Sequence, residues 1–388
     1  MKIGFVYDAI YPYQKGGGER RIYEVARRLS ARGHEVHIIG MKGWTGADSI
    51  KSDGLIYRSL GRSIPLYHSS GRRSISEALE FGLQALRLLG FEHFDVLDCG
   101  QWPYFHLLPA RAFCWLSSCP MVVSWYEIWG RHWFEYLGPL GFAGALVEKA
   151  FVHLPNRIFA VSDATRRDLI ETGARPHLVE MIPNGIDYKR ICSILPPASK
   201  YHVSYIGRLK NHKNVDVLVE AIALAKISIP DISAVIIGDG PEKATLLAKA
   251  GSLGVAENIN FTGAIEDFDD AIRLLKSSLL FVNASTKEGG GSITLFEANA
   301  CGLPVIAVKS PHGIDPNLIR EGENGYFVDE LSAKKIADKL VALLADAEAM
   351  KANALQAKTM AAQYDWDVVA DQHENAYQKI VIARKVKE

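Results

Sequence analysis

Two stretches of this 388-residue chain carry side chains whose types and spacing suit phosphate and sugar chemistry. The first is Gly207-Arg208-Leu209-Lys210-Asn211-His212-Lys213-Asn214, between an apolar run ending at Ile206 and a helical pattern over Val215–Lys226. It places three cations in six residues. Arg208 offers a planar fork to phosphate oxygens, and Lys213 adds a point charge five residues on. Gly207 lets the backbone come close to a ligand. The plain alternative is a solvated basic turn. The second stretch runs from Ser285 to Pro304. Its glycines, Gly289, Gly290 and Gly291, follow the short apolar run Leu279–Val282. Ser292 is placed to cap the next helix, whose apolar spacing through Leu295, Phe296 and Ala298 ends at Gly302 and Pro304. Strand, glycine loop and helix amino end make an anion site. Glu288 and Glu297 flank it. Carboxylates repel an anion, so they suit hydroxyl groups, and hydroxyls beside phosphates describe a sugar nucleotide. An ordinary strand–loop–helix with solvated glutamates is the alternative here.

The elements that must position these residues read as α/β. Lys2–Tyr7 is a strand, Glu19–Ala31 a helix with Ile22, Val25, Ala26 and Leu29 on one face, and Glu35–Ile39 a second strand. This βαβ opening starts a doubly wound parallel sheet, with the Gly16-Gly17-Gly18 turn at its first strand–helix junction. That turn is not a Gly-x-Gly-x-x-Gly fingerprint, because Arg21 stands where the last glycine would be. Further strands are predicted at 55–57, 96–98, 121–124 and 157–161. Leu195-Pro-Pro-Ala-Ser199 reads as a hinge, and a second βαβ series starts at Val203. The expected organisation is an N-terminal domain over 1–195, a C-terminal domain over 200–365, and a helix over 366–388 packing across both, with ligands in a cleft between the halves.

Composition narrows the function classes. Lys plus Arg equals Asp plus Glu at 44 each, so nothing global argues for nucleic acid. The balance hides a split of +4 over residues 1–190 and −4 over the rest. Five scattered cysteines form no Cys-x-x-Cys pair and no zinc pattern, which suits reduced thiols in a cytoplasmic protein. The chain opens on a strand, so no signal peptide is expected, and no apolar run reaches the ~18–20 residues of a spanning helix.

Five motifs occur in order: Ile182-Pro-Asn-Gly-Ile-Asp187, Gly207-Arg208-Leu209 with Lys213-Asn214, Gly238-Asp-Gly-Pro241, Glu288…Glu297, and Ala300-Cys-Gly-Leu-Pro-Val-Ile306. Together they resemble the retaining glycosyltransferases of family 4, whose GT-B fold has two Rossmann-like domains facing a cleft. The resemblance covers nearly the whole chain. It implies that Arg208 and Lys213 hold the donor diphosphate, that Glu297 accepts the ribose hydroxyls and that Glu288 contacts the donor sugar. It assigns Gly17, Gly18, Gly207, Gly238, Gly290, Gly291 and Ser292 to the donor site as well, and Gly16 to the acceptor side. Neither a cofactor nor a metal is expected, since cations and helix dipoles stabilise the leaving diphosphate. The implied reaction is sugar transfer to an acceptor hydroxyl with retained configuration, in which Glu127, Arg208, Lys213 and Glu288 form the catalytic set.

Two departures from the family pattern stand out. Eight residues lie between Glu288 and Glu297 where the family has seven, so the glycine loop must bulge or Glu288 must shift. A family histidine is replaced by Tyr126 in Ser124-Trp-Tyr-Glu127, leaving Glu127 to orient or deprotonate the acceptor. Five of the seven tryptophans fall within 32 residues, from Trp102 to Trp133. Three readings of them stay open: core packing, an aromatic sugar groove, and contact with a bilayer surface through rings and neighbouring Arg131, His132 and Lys149. Trp129 is assigned with Tyr126 and Glu127 to the acceptor. The expected partners are a nucleotide sugar and an acceptor glycan or lipid-linked acceptor, with peripheral contact at the inner face of a membrane. The rivals are a nucleotide-sugar epimerase of the same fold, an NAD-dependent oxidoreductase, and a sugar-nucleotide-binding subunit without turnover.

Overall fold

The computed structural model describes residues 1–14, 16–66, 74–198, 200–288 and 292–385. Gly290 and Gly291 therefore lie outside the described residues, as does Ser199 of the expected hinge. The chain divides into two units, Met1–Asn184 with Trp366–Glu388, and Gly185–Asp365. The change of unit at Asn184 precedes the expected hinge by about ten residues, so the Asn184–Gly185 turn separates the two cores, not the proline pair at 196–197.

The first unit begins with β1 (Lys2–Val6), α1 (Gly17–Ala31), β2 (Glu35–Lys42), β3 (Ser49–Ser52) and β4 (Leu55–Arg62). It continues through α2 (Ile75–Gln84), β5 (Val96–Gly100), α3 (Leu107–Leu116), β6 (Met121–Trp125), α4 (His132–Leu137) and α5 (Gly141–Phe151). Then come β7 (Arg157–Ala160), α6 (Asp163–Thr172) and β8 (Val179–Met181). The eight strands run in the order β3-β4-β2-β1-β5-β6-β7-β8, all parallel except the edge strand β3. Strands buried on both faces read as apolar runs, and β1 does from Ile3 onward. Gly17 and Gly18 are the first helical residues of α1, two residues earlier than the sequence predicts.

The second unit holds α7 (Tyr188–Ser193), β9 (Tyr201–Ile206), α8 (Val215–Ala225), β10 (Ala234–Ile237), α9 (Lys243–Ser252) and β11 (Ile259–Gly263). It goes on with α10 (Phe268–Lys276), β12 (Ser278–Asn283), α11 (Ile293–Ala300), β13 (Val305–Val308), β14 (Gly325–Val328), α12 (Ala333–Leu344) and α13 (Ala347–Ala361). Its six-stranded parallel sheet has the order β11-β10-β9-β12-β13-β14. The order reverses at β9, so the β9 and β12 loops leave neighbouring strands on the same edge.

The last helix, α14 (Trp366–Lys385), belongs with the first unit. Trp366, Val369 and Tyr377 are buried against Ile3, Phe5 and Val25. Arg28 of α1 pairs with Asp367 at 2.6 Å, and the Tyr377 hydroxyl donates to Asp98 at 2.6 Å. The sequence predicts a helix crossing both domains; the contacts that fix it are these.

Candidate functional site

In the second unit the basic turn is laced to residues 284–288, the segment that follows β12. Asn214 adopts a left-handed conformation (φ 50°) at the start of α8, which turns its side chain back. Its Nδ2 donates to the Ala284 carbonyl at 2.9 Å and to Thr286 Oγ1 at 3.1 Å. The Thr286 amide and the Ser285 hydroxyl both donate to the His212 carbonyl at 3.2 Å. These bonds set Lys213 against Glu288, Nζ to Oε1 at 2.8 Å, and Asn283 Nδ2 donates to the same oxygen at 3.3 Å. Glu288 is further held by its own amide, which donates to the His312 carbonyl at 2.7 Å.

The result is a cavity of about 340 Å3. Gly207, Arg208, Lys213, Glu288 and Ser292 line it together with Asn283. Arg208 is exposed and has no ion pair among the described residues. Burial, then the neighbouring Lys213 and Lys210, push the His212 pKa down, which favours the neutral ring at this cationic turn. Gly207 (φ 157°) and Gly238 (φ 141°) sit back to back. A Cβ on Gly238 would strike the Gly207 carbonyl oxygen, so Gly238 supports the basic turn from behind and does not line the cavity. Glu297 is buried in α11 and is also absent from the lining. Ser292 holds the cap position of α11, but its hydroxyl pairs with Thr294 Oγ1 at 2.9 Å and makes no cap bond. This leaves the amino end of α11 without the side-chain cap predicted for it.

The residues expected on the acceptor side all lie in the first unit. A Cβ on Gly18 would stand 3.1 Å from the Tyr7 hydroxyl oxygen and 3.5 Å from Tyr126 Cζ, so the glycine start of α1 packs on these two rings. The buried Tyr126 hydroxyl has no hydrogen-bond partner among the described residues, and burial raises its pKa. Burial also raises the Glu19 pKa. Gln101 bridges the segment after β6: its Oε1 accepts from the Tyr126 and Glu127 amides, and its Nε2 donates to the Glu127 carbonyl at 2.7 Å. The Glu127 carboxylate accepts from Trp129 Nε1 at 2.8 Å.

Glu148 of α5 holds that segment in place and was not singled out from the sequence. Its buried carboxylate accepts from the Trp129 amide at 3.0 Å, the Gly130 amide at 2.9 Å and the Tyr104 hydroxyl at 2.8 Å. Nothing in the helical run of α5 distinguishes this glutamate from a solvated one. Arg21 is the second omission. It is 2% exposed and donates to the carbonyls of Ile182 (2.8 Å) and Pro183, and to Asn184 Oδ1 at 3.1 Å. It thus ties α1 to the Pro-Asn-Gly turn.

The tryptophans divide between roles. Trp125 is fully buried, and Trp115 is 76% exposed. Trp102, Trp129 and Trp133 pack edge-on and tilted with centroids 4.8–5.9 Å apart and wall an apolar cavity of about 640 Å3, whose lining includes Glu127. Among the described residues no helix is long and apolar enough to cross a membrane.

Comparison with known proteins gives two family matches. Residues 15–190 match the family described as Glycosyltransferase Family 4, and residues 193–360 match Glycosyl transferases group 1. The chain is 23% identical to a phosphatidyl-myo-inositol mannosyltransferase of Propionibacterium freudenreichii, over 96% of this chain and 93% of that one. It is 27% identical to a GDP-mannose-dependent α-(1-6)-phosphatidylinositol monomannoside mannosyltransferase of Mycobacterium tuberculosis, over 54% and 58% of the two chains. Among solved structures, Anabaena HepE in complex with UDP superposes with a TM-score of 0.74 at 19% identity, covering 98% of this chain and 100% of that one. The sucrose-phosphate synthase of Thermosynechococcus elongatus superposes with a TM-score of 0.78 at 18% identity, covering 98% and 99%.

Proposed function

The chain belongs to the glycosyltransferases of family 4 and has the GT-B fold, and from that premise we propose a retaining, metal-independent transfer of a hexose from a nucleotide-diphosphate sugar to an acceptor hydroxyl. The observation that carries this reading is the cavity where Arg208, Lys213 and Glu288 meet. Arg208 and Lys213 would hold the diphosphate and neutralise its charge as the glycosidic bond breaks, with Gly207, Gly238 and Ser292 shaping the turn and the helix start around it. Glu288 would fix the donor sugar and Glu297 the ribose. The leaving phosphate oxygen would take the acceptor proton, so the chain's own residues contribute position and charge stabilisation.

On the acceptor side, Glu127 would orient the hydroxyl, with Gly16, Tyr126 and Trp129 beside it. The acceptor we favour is lipid-linked or membrane-bound at the cytoplasmic face of a membrane. The aromatic cavity that includes Glu127, and two relatives whose names describe phosphatidylinositol acceptors, support that choice. The test is a thermal-shift panel of UDP, GDP, ADP and TDP, with and without EDTA, on wild type and Arg208→Ala. At a hundred times its dissociation constant a ligand stabilises by about 2.7 kcal/mol. One diphosphate should shift the wild type regardless of EDTA and fail to shift Arg208→Ala. No shift with any of them sinks the donor site.

A further inference from the structure

The first unit has another cavity, of about 710 Å3, beside the opposite end of β6 from Glu127. Four guanidinium groups line it: Arg111 of α3, Arg157 at the start of β7, Arg175 after α6, and Arg384 near the end of α14. His153 joins them, and among the described residues no carboxylate lines the cavity. Arg111 and Arg157 donate to Asn156, at Oδ1 (3.0 Å) and the carbonyl (3.3 Å). Among the described residues neither they nor Arg175 form an ion pair. Arg111, Arg157 and Arg175, like charges gathered on one cavity wall, repel one another, and an anion lowers that cost. Guanidinium forks match phosphate oxygens in particular.

The mouth of the cavity says which phosphate. Trp115 lines it and is 76% exposed, and the adjacent Leu116 is 67% exposed. Leu108, two turns earlier on α3, is exposed on the same helix face. Beside α3, helix α2 exposes Ile75, Leu79 and Leu83 at four-residue spacing. A free anion in water gives no role to these side chains. A bilayer does, since indole rings settle at the headgroup level with cations beside them. We propose that this cavity binds the phosphate headgroup of an anionic phospholipid and seats α3 on the membrane surface through Trp115 and Leu116.

Cosedimentation of the full chain with vesicles tests this without any turnover, so it is independent of the donor and acceptor reading above. Wild type should partition onto phosphatidylcholine vesicles containing phosphatidylglycerol at least tenfold more than onto phosphatidylcholine alone. Each cation near an anionic surface is worth about fivefold in partition, so Arg157→Gln with Arg175→Gln should cost on the order of thirtyfold. Removing two cations from the exposed helices of the other unit, Lys334→Gln with Lys351→Gln, should change it by much less. Trp115→Ser, at an exposed position that the fold does not need, should also lower partition and carries the test if the arginine variant fails to fold. The proposal is overturned if the arginine pair and Trp115→Ser bind as wild type does, or if the lysine pair costs as much as the arginine pair. It is also overturned if inorganic phosphate raises the melting temperature of wild type while vesicles of either composition leave the protein in the supernatant, which would mark a site for a soluble anion.

Discussion

Lys213 and Glu288, 75 residues apart in sequence, meet Nζ to Oε1 at 2.8 Å in the wall of the cavity of about 340 Å3. On the proposed reading, a diphosphate entering there competes with Glu288 for the lysine. Lys213→Met should therefore weaken nucleoside diphosphate binding by about 1.5–3 kcal/mol, the worth of a hydrogen bond to a charged group. Glu288→Gln should keep or tighten that binding while turnover of the nucleotide sugar falls. Calorimetric titration beside initial rates separates the two effects. Parallel loss of diphosphate affinity in both variants would show that the carboxylate only holds the loop together.

Trp129 is fixed at both ends, its amide on Glu148 and its indole N–H on Glu127. Glu148→Ala strands two amides and a phenol in a buried place, and should destabilise the protein by about 3 kcal/mol or more in urea unfolding. Trp129→Phe keeps the ring in the aromatic wall and removes only the donor to Glu127. Turnover should fall on the order of tenfold as the carboxylate loses its orientation, with diphosphate affinity unchanged. An unaltered turnover number would leave Glu127 without a role in orienting the acceptor.

The pattern of strands and helices was largely readable, because parallel strands buried on both faces are apolar runs and the amphipathic helices repeat at 3.6 residues. So was the gathering of Arg208, Lys213 and Glu288, whose turns follow two neighbouring strands of one sheet. The supporting polar residues were hidden. Arg21 looked like a missing glycine, and its real work is 162 residues away at Pro183. Glu148 reads as one more helical carboxylate, since no local pattern announces that its partners come from the loop after β6. Ser292 matched a cap by position alone, and a hydroxyl can choose a neighbouring side chain over the backbone. The attachment of α14 to the first unit rests on Trp366 and Tyr377, whose long-range partners periodicity cannot name.

Asp98 and His373 titrate against each other in one buried cluster with Arg21, Tyr126 and Tyr377. Burial raises the Asp98 pKa to about 6, despite hydrogen bonds from the Tyr377 and Ser124 hydroxyls. Burial and then Arg21 lower the His373 pKa to about 3. The raised acid contributes stability present below its ordinary 3.8 and lost as pH rises through about 6. The depressed imidazole contributes stability present above 6.5 and lost as pH falls through about 3. Their slopes oppose between about pH 4 and 6. His373→Gln removes one of them, so the variant should gain on wild type by roughly 3 kcal/mol between pH 6.5 and about pH 4. Urea titrations at both pH values measure it. A constant difference between the two proteins would mean that His373 protonates as freely in the fold as in the unfolded chain.

Two glycines assigned to the donor site should respond to alanine in opposite ways. Gly238 has φ 141°, and a Cβ there meets the Gly207 carbonyl oxygen. Gly238→Ala should cost about 2 kcal/mol or more and weaken diphosphate binding with it, because the turn that carries Arg208 must move. Gly17 lies in the first turn of α1, and a Cβ there would meet nothing within 4 Å, so alanine should stabilise by about 0.4–1 kcal/mol through the unfolded chain. That gain makes Gly17→Ala a clean probe of function. If the donor phosphates approach the start of α1, kcat/KM for the nucleotide sugar falls in a protein that melts higher. A kcat/KM equal to wild type would remove Gly17 from the donor site and leave its glycine to the geometry of the helix start alone.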